Sequence, residues 1–413
     1  MKVNMFGLEK NGDYKVWNIE VIDNSVARVD YQASAYILIS HGKEGGKLTL
    51  DTKEVTEGKQ GRTPYQQAIL QAEARLKKQV DKGYRYTKEE LTDLPLLAML
   101  AEDYNKKGHL IKFPCYTSVK YDGVRCVIHK ANGIVRLESR TGQEFIVPHI
   151  AEYVGNVMKE GQPLDGELYL HGYELQDILS AVKRTNPDEE IEKARKHIAK
   201  KGEDFRRPPK KGVIQPTALE ELHDAVRIKY IRENLEFHLF DMPSDENFVV
   251  RLLDMDDFHA EAKYTPFLKF TDYQTCYDDA DLKHLHAQAV KDGFEGIMLR
   301  NHNGKYESGK RSSDLQKYKT FMDAEFLILD VLPDNEDGAR FLLLNNVNDL
   351  TFFAVMGTMQ ERAYQLANKC EFIDKWLNVK FQTRYKRTYL PQFPVGQYIR
   401  EGYAVGREFV PYD

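Results

Sequence analysis

The chain has 413 residues, of which 42% are hydrophobic and 30% charged, a composition typical of a globular protein with two or three domains. Its net charge of −5 means that any nucleic-acid binding depends on local basic patches. The four cysteines are scattered with no C-x-x-C pair, which argues against an all-cysteine zinc site and a dense disulfide framework and suits a reducing cytoplasm. The sequence has no 18-residue apolar run and no apolar N-terminal segment, so we expect neither membrane insertion nor secretion.

Residues 1–88 are predicted to form a sheet with one helix. The segments YKVWNIEV, AYILIS and KLTLDTKEV alternate like strands, and the first of them places Trp17, Ile19 and Val21 on one face. The segment RTPYQQAILQAEARLKKQVDKGY predicts a helix that begins after Thr63, with Pro64 in the first turn, and stops at Gly83. Its predicted buried stripe is Ile69, Ala72, Leu76 and Val80.

Residues 89–321 form a larger region, predicted to open with a helix in KEELTDLPLLAMLAEDY. A strand, PCYTSVK, ends at Lys120, and CVIHK-ANG-IVRLESR predicts a hairpin that turns at Asn132-Gly133. This hairpin returns the chain so that SRTG, residues 139–142, can approach Lys120 and Arg125.

Further strands of this region carry charged and aromatic side chains. Asp165 and Glu167 share one face of LDGELYLHG because side chains alternate along a strand. The other strands are LEFHLFDM with Phe237 and Phe240, FEGIMLR with Glu295, and LQKYKTF with Lys317 and Lys319 on one face. A site that transfers a nucleotide needs such a set: a lysine nucleophile, carboxylates for Mg²⁺, cations for phosphate and an aromatic face for a base.

Residues 322–413 have a different pattern of predicted elements from the region before them. Short strand candidates, EFLILDVL, RFLLLNNV, LTFFAVMG and WLNVKFQTRY, surround one helix candidate, MQERAYQLANKC. Several short strands with a single helix in so short a region are typical of a small barrel such as an OB-fold.

The motifs KYDGVR, SRTG, DGEL, FHLFD, EGIMLR and LQKYK occur in that order. Together they resemble the motif series of covalent nucleotidyltransferases, most closely ATP-dependent DNA ligases of the compact, phage-like kind, over residues 110–400. The resemblance implies an α+β fold. An adenylation domain of ATP-grasp-like antiparallel sheets would occupy residues 89–321, and an OB-fold residues 322–413.

The resemblance also implies a role for each matching residue. Lys120 would be the nucleophile that becomes adenylated, and Arg125 and Arg140 would contact the nucleotide or the 5′-phosphate of a nick. Phe240 would stack on adenine, although a strand phenylalanine can equally be a core residue.

Carboxylates and lysines complete the implied site. Glu167 would bind the ribose or a metal ion, Glu295 would be a metal-site carboxylate, and Lys317 and Lys319 would hold the ATP phosphates. The implied cofactors are ATP and Mg²⁺ or Mn²⁺, and the implied partner is nicked duplex DNA. We expect a monomer that does not bind a membrane and that acts in the reducing cytoplasm of a bacterial or phage-infected cell.

The chain departs from the family pattern at two places. Many members carry a glutamate two residues before the lysine, where this chain has Ser118, which we still assign to the nucleotide-binding set. The C-terminal R-x-D-K element that orients pyrophosphate is absent as such, and the nearest match, in FPVGQYIREG, is Arg400.

The N-terminal region has a separate resemblance. Its strand YKVWNIEV, its turn HGKEGGK and its helix resemble a WGR domain, a DNA-end-binding module of poly(ADP-ribose) polymerases. His41-Gly42-Lys43 stands at the Trp-Gly-Arg signature, so His41 and Lys43 are the expected DNA contacts.

Several alternatives stay open at this point. The basic run at 193–212, KARKHIAKKGEDFRRPPKKG, either grips duplex phosphates or is a solvated helix and loop. Within the same superfamily the chain could be an RNA ligase or a capping-type nucleotidyltransferase. From another class, it could be a non-catalytic DNA-end-binding scaffold. An NAD-dependent ligase is disfavoured because the cysteines cannot form its zinc finger.

Overall fold

The fold was obtained as a computed structural model that describes residues 1–9, 12–24, 33–91, 96–208, 216–262, 264–334 and 338–412. It divides into two compact units, Met1–Lys317 and Tyr318–Asp413. The division into three domains, with a boundary between residues 88 and 89, stays a prediction. In the described ranges no helix has the length and apolarity needed to cross a membrane.

The N-terminal part of the first unit is an antiparallel sheet in the order β1-β2-β3-β4, covered on one face by helix α1. Trp17, Ile19 and Val21 are buried beneath this helix, as predicted. The elements are β1 (Lys2–Leu8), β2 (Tyr14–Asp23), β3 (Ala35–Lys43), β4 (Thr49–Val55) and α1 (Pro64–Asp81).

Helix α1 begins as its sequence predicts. The Thr63 side chain accepts a hydrogen bond from the Gln66 backbone N–H, and the Gln66 side-chain oxygen accepts one from the Thr63 backbone N–H. Pro64 occupies the first turn. Of the predicted stripe, Ala72 and Leu76 are buried and the outer two residues, at 69 and 80, are half-buried.

Two mostly antiparallel sheets build the rest of the first unit, in the orders β12-β11-β10-β7-β8-β9 and β13-β6-β14-β15-β5. Their strands are β5 (Leu100–Asp103), β6 (Cys115–Lys120), β7 (Val124–Ala131), β8 (Ile134–Ser139), β9 (Glu144–Phe145), β10 (Leu164–Tyr169), β11 (Glu236–Asp241), β12 (Leu268–Phe270), β13 (Gln274–Cys276), β14 (Gly296–Arg300) and β15 (Arg311–Tyr318). The helices are α2 (Tyr104–Lys107), α3 (Pro148–Val157), α4 (Leu175–Lys183), α5 (Pro187–Lys201), α6 (Ala218–Asn234), α7 (Phe248–Ala262) and α8 (Asp279–Lys291).

The predicted hairpin and the strand before it are confirmed. Strands β7 and β8 pair up to Ala131 and Ile134, and both turn residues, Asn132 and Gly133, have positive φ angles, as a type I′ turn requires. Strand β6 ends at Lys120, so the hairpin begins close to that lysine.

The predicted helix at 88–104 is wrong where the structure describes it. Glu89–Leu91 form a single 3₁₀ turn, and Leu100–Asp103 is a strand that pairs in parallel with β15. Residues 92–95 lie outside the described residues. The segment contains Pro95, which interrupts a helix, and the apolar residues after it gain backbone hydrogen bonds from β15 instead.

The second unit is the predicted OB-type barrel. Its sheet runs β18-β17-β16-β19-β20, and a parallel bridge from Val355 to Val395 joins the ends of β18 and β20 and closes the barrel. The elements are β16 (Met322–Pro333), β17 (Ala339–Leu344), β18 (Thr351–Ala354), α9 (Met359–Ala367), β19 (Trp376–Phe381) and β20 (Val395–Arg400), followed by the hairpin of β21 (Gly402–Val405) and β22 (Glu408–Pro411). Phe326, Phe341 and Phe381 fill its core.

Candidate functional site

The candidate site is a cavity of about 240 Å³ in the first unit, lined by residues of both large sheets. Strands β6, β7, β10, β11 and β15 and the loop after β8 bring together residues separated by almost 200 positions in the sequence. Seven of the predicted site residues line it: Ser118, Lys120, Arg125, Arg140, Glu167, Phe240 and Lys317.

Lys120 is held in this cavity by Glu295. Gly296 lies opposite Lys120 in the pairing of β6 with β14, and the Glu295 backbone donates to the Lys120 carbonyl at 3.1 Å. The Lys120 Nζ atom bonds Glu295 Oε2, and the glutamate side chain is only 6% exposed. The lysine amine therefore stands beside a carboxylate that can accept a proton from it.

Arg125 is fixed by a carboxylate that is completely buried. Asp165 accepts from Arg125 Nε at 2.7 Å and from Nη2 at 2.6 Å, a bidentate pair, and also accepts from the Tyr306 hydroxyl at 2.6 Å. Burial, the largest effect, lowers the pKa of Arg125, but the charge and hydrogen bonds of Asp165, together with Tyr306 and Glu167, outweigh it and raise the pKa. The guanidinium is permanently charged and lies 4.5 Å from the Phe240 ring centre.

Glu167 lies opposite Arg125 in the pairing of β10 with β7. Burial raises the pKa of its carboxyl to about 7, against the lowering effects of Arg125 and Lys120. The nearby charges of Asp165 and Glu295 contribute to this rise. A cation that arrives with a ligand would stabilise the ionised form of this carboxyl and lower its pKa.

Phe240 is placed by a β-bulge. In the pairing of β11 with β10, Asp165 is opposite Asp241 and Gly166 is opposite Leu239, which leaves Phe240 as the extra residue. The Phe240 carbonyl instead accepts a hydrogen bond from the Tyr273 hydroxyl at 2.7 Å. The ring is 9% exposed and lines the cavity, so Phe240 is both packed and accessible to a ligand.

A buried ion cluster supports the end of β11, and the sequence reasoning missed it. Asp241 binds Arg251 through both carboxylate oxygens, at 2.7 and 3.2 Å, and also binds Arg300. Arg300 lines the cavity, and its buried Nε atom has no hydrogen-bond partner. The motif EGIMLR ends in Arg300 and FHLFD ends in Asp241, so both residues were visible in the motifs, although nothing local showed that they pair.

Five predicted residues are not among those that line this cavity. Glu295 adjoins it through its bond to Lys120. Lys319 follows the end of β15, contrary to the predicted shared strand face with Lys317, and belongs to the second unit, where it bonds the Gln382 side chain. Arg400, in the same unit, donates to Glu325 at 2.7 Å.

The two residues at the predicted DNA contact of the N-terminal sheet face acidic neighbours. The Nε2 atom of His41 lies 3.5 Å from Oδ2 of Asp51, and the Nζ atom of Lys43 lies 2.5 Å from Oδ2 of Asp13. The pairing of Lys43 with Asp13 neutralises part of the positive charge that the sequence pattern predicts for this turn.

The donor set fits a magnesium ion held partly by substrate. Within the ranges that the structure describes, no group of three or more His, Cys, Asp or Glu side chains could enclose a metal ion. Glu167 nevertheless lines the cavity and Glu295 bonds Lys120 beside it, and Mg²⁺ commonly binds one or two carboxylates together with phosphate and water. A site of this kind is complete only when a phosphate ligand is present.

Known proteins resemble the chain in this region. The family profile for the ATP dependent DNA ligase domain matches residues 95–319. The DNA ligase of African swine fever virus is 29% identical over 225 residues, covering 51% of this chain and 43% of the viral protein. The DNA ligase of Enterobacteria phage T4 is 24% identical over 338 residues, covering 71% of this chain and 66% of the phage protein.

A solved structure shows the same fold. A structure from a structure–function study of Lig E DNA ligases, described as binding DNA with a minimal scaffold, aligns with a TM-score of 0.54 at 20% identity. The alignment covers 74% of this chain and 100% of that one. The chain spans less than half the length of the swine fever virus relative.

Proposed function

The chain belongs to the ATP-dependent DNA ligase family, and from this premise we propose that it seals nicks in duplex DNA through a lysyl-AMP intermediate and a DNA-adenylate. The observation that carries the proposal is the position of Lys120: it stands in a cavity beside Glu295, among residues from six motifs in the family's order. We further propose that the protein acts as a monomer in a reducing cytoplasm.

The chemistry begins at Lys120. Glu295 Oε2 accepts a proton from the amine, and the lone pair of Nζ then attacks the α-phosphorus of ATP. A phosphorus–nitrogen bond forms as the bond to pyrophosphate breaks. The cations of Arg125, Arg140 and Lys317 line the same cavity and stabilise the charge that develops on the phosphate oxygens.

The later steps transfer AMP and then release it. An oxygen of the 5′-phosphate at the nick attacks the lysyl-AMP phosphorus, which frees Lys120 and gives a DNA-adenylate. The 3′-hydroxyl then attacks the 5′-phosphorus and expels AMP. Mg²⁺ held by Glu167 and Glu295 would neutralise phosphate charge during these transfers.

The test is incubation of the protein with α-labelled ATP and Mg²⁺, followed by nicked DNA. Covalent AMP on the protein and sealing of the nick are expected. A protein that binds nicked DNA without ever becoming labelled would instead be a non-catalytic scaffold. Labelled protein that seals nicked RNA in preference to nicked DNA would indicate an RNA ligase.

Glu295→Gln is expected to slow lysine adenylation by about 10²-fold or more, because the amide cannot accept the proton of Lys120. The substitution keeps the size of the side chain and removes only its charge. The rate of AMP transfer to the protein, measured across a Mg²⁺ titration, checks this. The matched control is Glu261→Gln, an exposed glutamate that pairs with Lys159, and a similar loss in that variant would contradict a specific role.

We also propose that the N-terminal sheet and helix form a WGR-like module that grips DNA. The charges best placed for this are on helix α1 and its C-terminal cap, where Lys77, Lys78 and Lys82 are all exposed. Lys43 is paired with Asp13 and His41 lies beside Asp51, so we expect the helix lysines to contribute more.

Replacing Lys77, Lys78 and Lys82 together with glutamine is expected to weaken binding of nicked duplex. The slope of log affinity against log salt should become shallower by about 2 to 3, because each phosphate contact contributes about 0.9. Binding isotherms at several salt concentrations measure this, with Glu73→Gln on the same helix as the control. Self-adenylation should survive because Lys120 and its cavity lie elsewhere in the sequence. An unchanged slope would indicate a protein-docking or purely structural module.

A further inference from the structure

Tyr306 closes a circuit of hydrogen bonds that includes one wall of the cavity. Its hydroxyl accepts from the Met99 backbone N–H at 3.1 Å and donates to Asp165 Oδ2 at 2.6 Å. The same oxygen accepts from Arg125 Nη2 at 2.6 Å, and Nη2 also donates to the Met99 carbonyl at 3.1 Å. Met99, Tyr306, Asp165 and Arg125 thus form one hydrogen-bond circuit, and Arg125 is the member of it that lines the cavity.

The direction of the Tyr306 proton follows from the two acceptors around it. Asp165 Oδ2 lies at 2.6 Å and the Leu97 carbonyl at 3.4 Å, so the carboxylate takes the shorter, charge-assisted bond. Burial and the charge of Asp165 raise the pKa of Tyr306 well above its ordinary value. The hydroxyl therefore keeps its proton at neutral pH and acts as a donor to Asp165.

The loop between β14 and β15 fixes Tyr306 relative to the backbone before β5. Ser308 Oγ accepts from the Leu97 N–H at 2.9 Å, and the Leu100 N–H donates to the Lys310 carbonyl at 2.9 Å. Met99 lies between these two contacts in the sequence, so its N–H and its carbonyl are held in place. The bond between Tyr306 and Met99 thereby anchors the hydrogen-bond circuit to the main chain.

A bidentate pair fixes two side chains relative to each other but not relative to a ligand. Arg125 and Asp165 alone could turn together, and the bonds to Tyr306 and Met99 oppose this movement. Nε and Nη2 of Arg125 are committed to protein acceptors, and across the described ranges no protein acceptor bonds Nη1. The two N–H groups of Nη1 are therefore the donors that Arg125 retains for a phosphate.

We propose that Tyr306 is a positioning residue for phosphate transfer: through Asp165 it orients the Arg125 guanidinium so that Nη1 donates to a phosphate oxygen of the nucleotide. The inference rests on the function proposed above, because it takes the nucleotide phosphates to lie beside Arg125. Tyr306 is not among the residues that line the cavity, so it acts on the reaction through Asp165 and Arg125. A displacement of about 1 Å in a positioned group can slow a reaction about 10²-fold.

The experiment measures covalent labelling of the full-length protein by α-labelled ATP with Mg²⁺, in single turnover and over a range of ATP concentrations. Tyr306→Phe keeps the aromatic ring, whose centre lies 5.7 Å from the Arg251 guanidinium, and removes only the hydroxyl. The maximal rate constant should fall about tenfold or more. The half-saturating ATP concentration should change less than about threefold, because Arg125 acts most strongly on the charge that develops during transfer.

A double-mutant cycle shows whether Tyr306 acts through Arg125. Arg125→Lys keeps a positive charge beside the buried Asp165, but its single nitrogen leaves nothing for the hydrogen-bond circuit to orient. Tyr306→Phe should therefore slow labelling less than about twofold in the Arg125→Lys background. If Tyr306→Phe has its full effect in that background, the inference is overturned.

The matched control is Tyr364→Phe in the second unit. The Tyr364 hydroxyl also donates to a carboxylate, that of Glu371 at 2.9 Å, but this pair is exposed. The control variant should keep the wild-type rate constant. A comparable loss in Tyr364→Phe would show that the effect is not specific to Tyr306 and would overturn the inference.

The remaining outcomes separate positioning from a purely structural role. If Tyr306→Phe lowers the fraction of protein that is labelled but not the rate constant, the hydroxyl only stabilises the fold and the inference is overturned. If Tyr306→Phe does not fold by circular dichroism, Asp165→Asn decides, because the amide keeps the size of the side chain but cannot accept all three bonds. A fall of about tenfold or more in that variant supports the inference, and an unchanged rate constant overturns it.

The wild-type protein distinguishes this inference from the proposed function. Wild type that takes up no label overturns both together. Labelled wild type with an unaffected Tyr306→Phe variant overturns this inference alone and leaves the proposed function standing.

Discussion

Lys120→Ala is expected to abolish covalent AMP transfer to the protein while leaving the fold intact. The lysine is the amine held beside Glu295, and the other lysine lining the cavity, Lys317, lies on a different strand, β15. Removal of a covalent nucleophile typically costs catalysis at least about 10⁴-fold. Intact-mass measurement after incubation with ATP and Mg²⁺ should therefore show no AMP adduct, and nick sealing from ATP should be lost with it.

The matched variant for this experiment is Lys120→Arg. Arginine keeps a positive charge beside Glu295, so the buried carboxylate stays paired, but a guanidinium does not deprotonate and cannot act as a nucleophile. Lys120→Arg should melt near the wild-type temperature, and neither variant should carry AMP. An AMP adduct on either protein, mapped to another residue, would show that Lys120 is not the nucleophile.

The sequence predicted the parts of this fold that depend on local signals. The Asn132-Gly133 turn, the Thr63 cap and the alternation around Trp17 all have short-range causes, and each is confirmed. The prediction of a helix at 88–104 was wrong because Leu100–Asp103 pair with the distant strand β15, which no local pattern in the segment indicates. Backbone pairing between distant segments overrides local propensity and leaves no local trace.

The candidate site likewise contains residues that local motifs predict and contacts that they do not. Lys120, Arg125, Glu167 and Phe240 were predicted because each lies in a short motif, and the structure gathers all of them around one cavity. Roles that depend on contacts between motifs were invisible, as with the carboxylate of Asp165 on Arg125.

Two further features lay beyond sequence reasoning. The bulge that places Phe240 is a property of the pairing of β10 with β11 and not of either strand alone. Tyr273 lies 33 residues after Phe240, outside every motif, and its hydroxyl donates to the Phe240 carbonyl at that bulge. Features that arise from the register between strands could not be predicted from one sequence.

Asp241→Ala is expected to destabilise the first unit by about 3–5 kcal/mol, the cost of breaking a buried ion cluster from one side. The Asp241 carboxylate is fully buried and binds two arginines, of which Arg251 is fully buried and Arg300 is 4% exposed. Its loss leaves two guanidiniums without their shared counter-charge in a site that excludes water. Urea unfolding should show a lower midpoint, and nucleotide binding should weaken because residue 241 follows Phe240 directly.

The pKa of Asp241 gives this prediction a pH dependence. Burial, the largest effect, raises the pKa, but the charges and hydrogen bonds of Arg300 and Arg251 together outweigh it and lower the pKa below its ordinary value. A depressed pKa contributes stability that is present above the ordinary value of 3.8 and is lost as pH falls through the folded-state pKa. The unfolding free energies of wild type and Asp241→Ala should therefore differ most near neutral pH and become similar in acid.

The control variants show whether charge pairing is the cause. Asp256→Ala removes an exposed carboxylate from helix α7 and should change the unfolding free energy by no more than about 0.5 kcal/mol. Combining Asp241→Leu with Arg251→Met and Arg300→Met removes the whole cluster, and should cost less than Asp241→Ala alone because no unpaired charge remains. If Asp241→Ala is as mild as the exposed control, or if the triple replacement costs the sum of its single changes, the cluster does not act as one coupled unit and does not hold Phe240 in place.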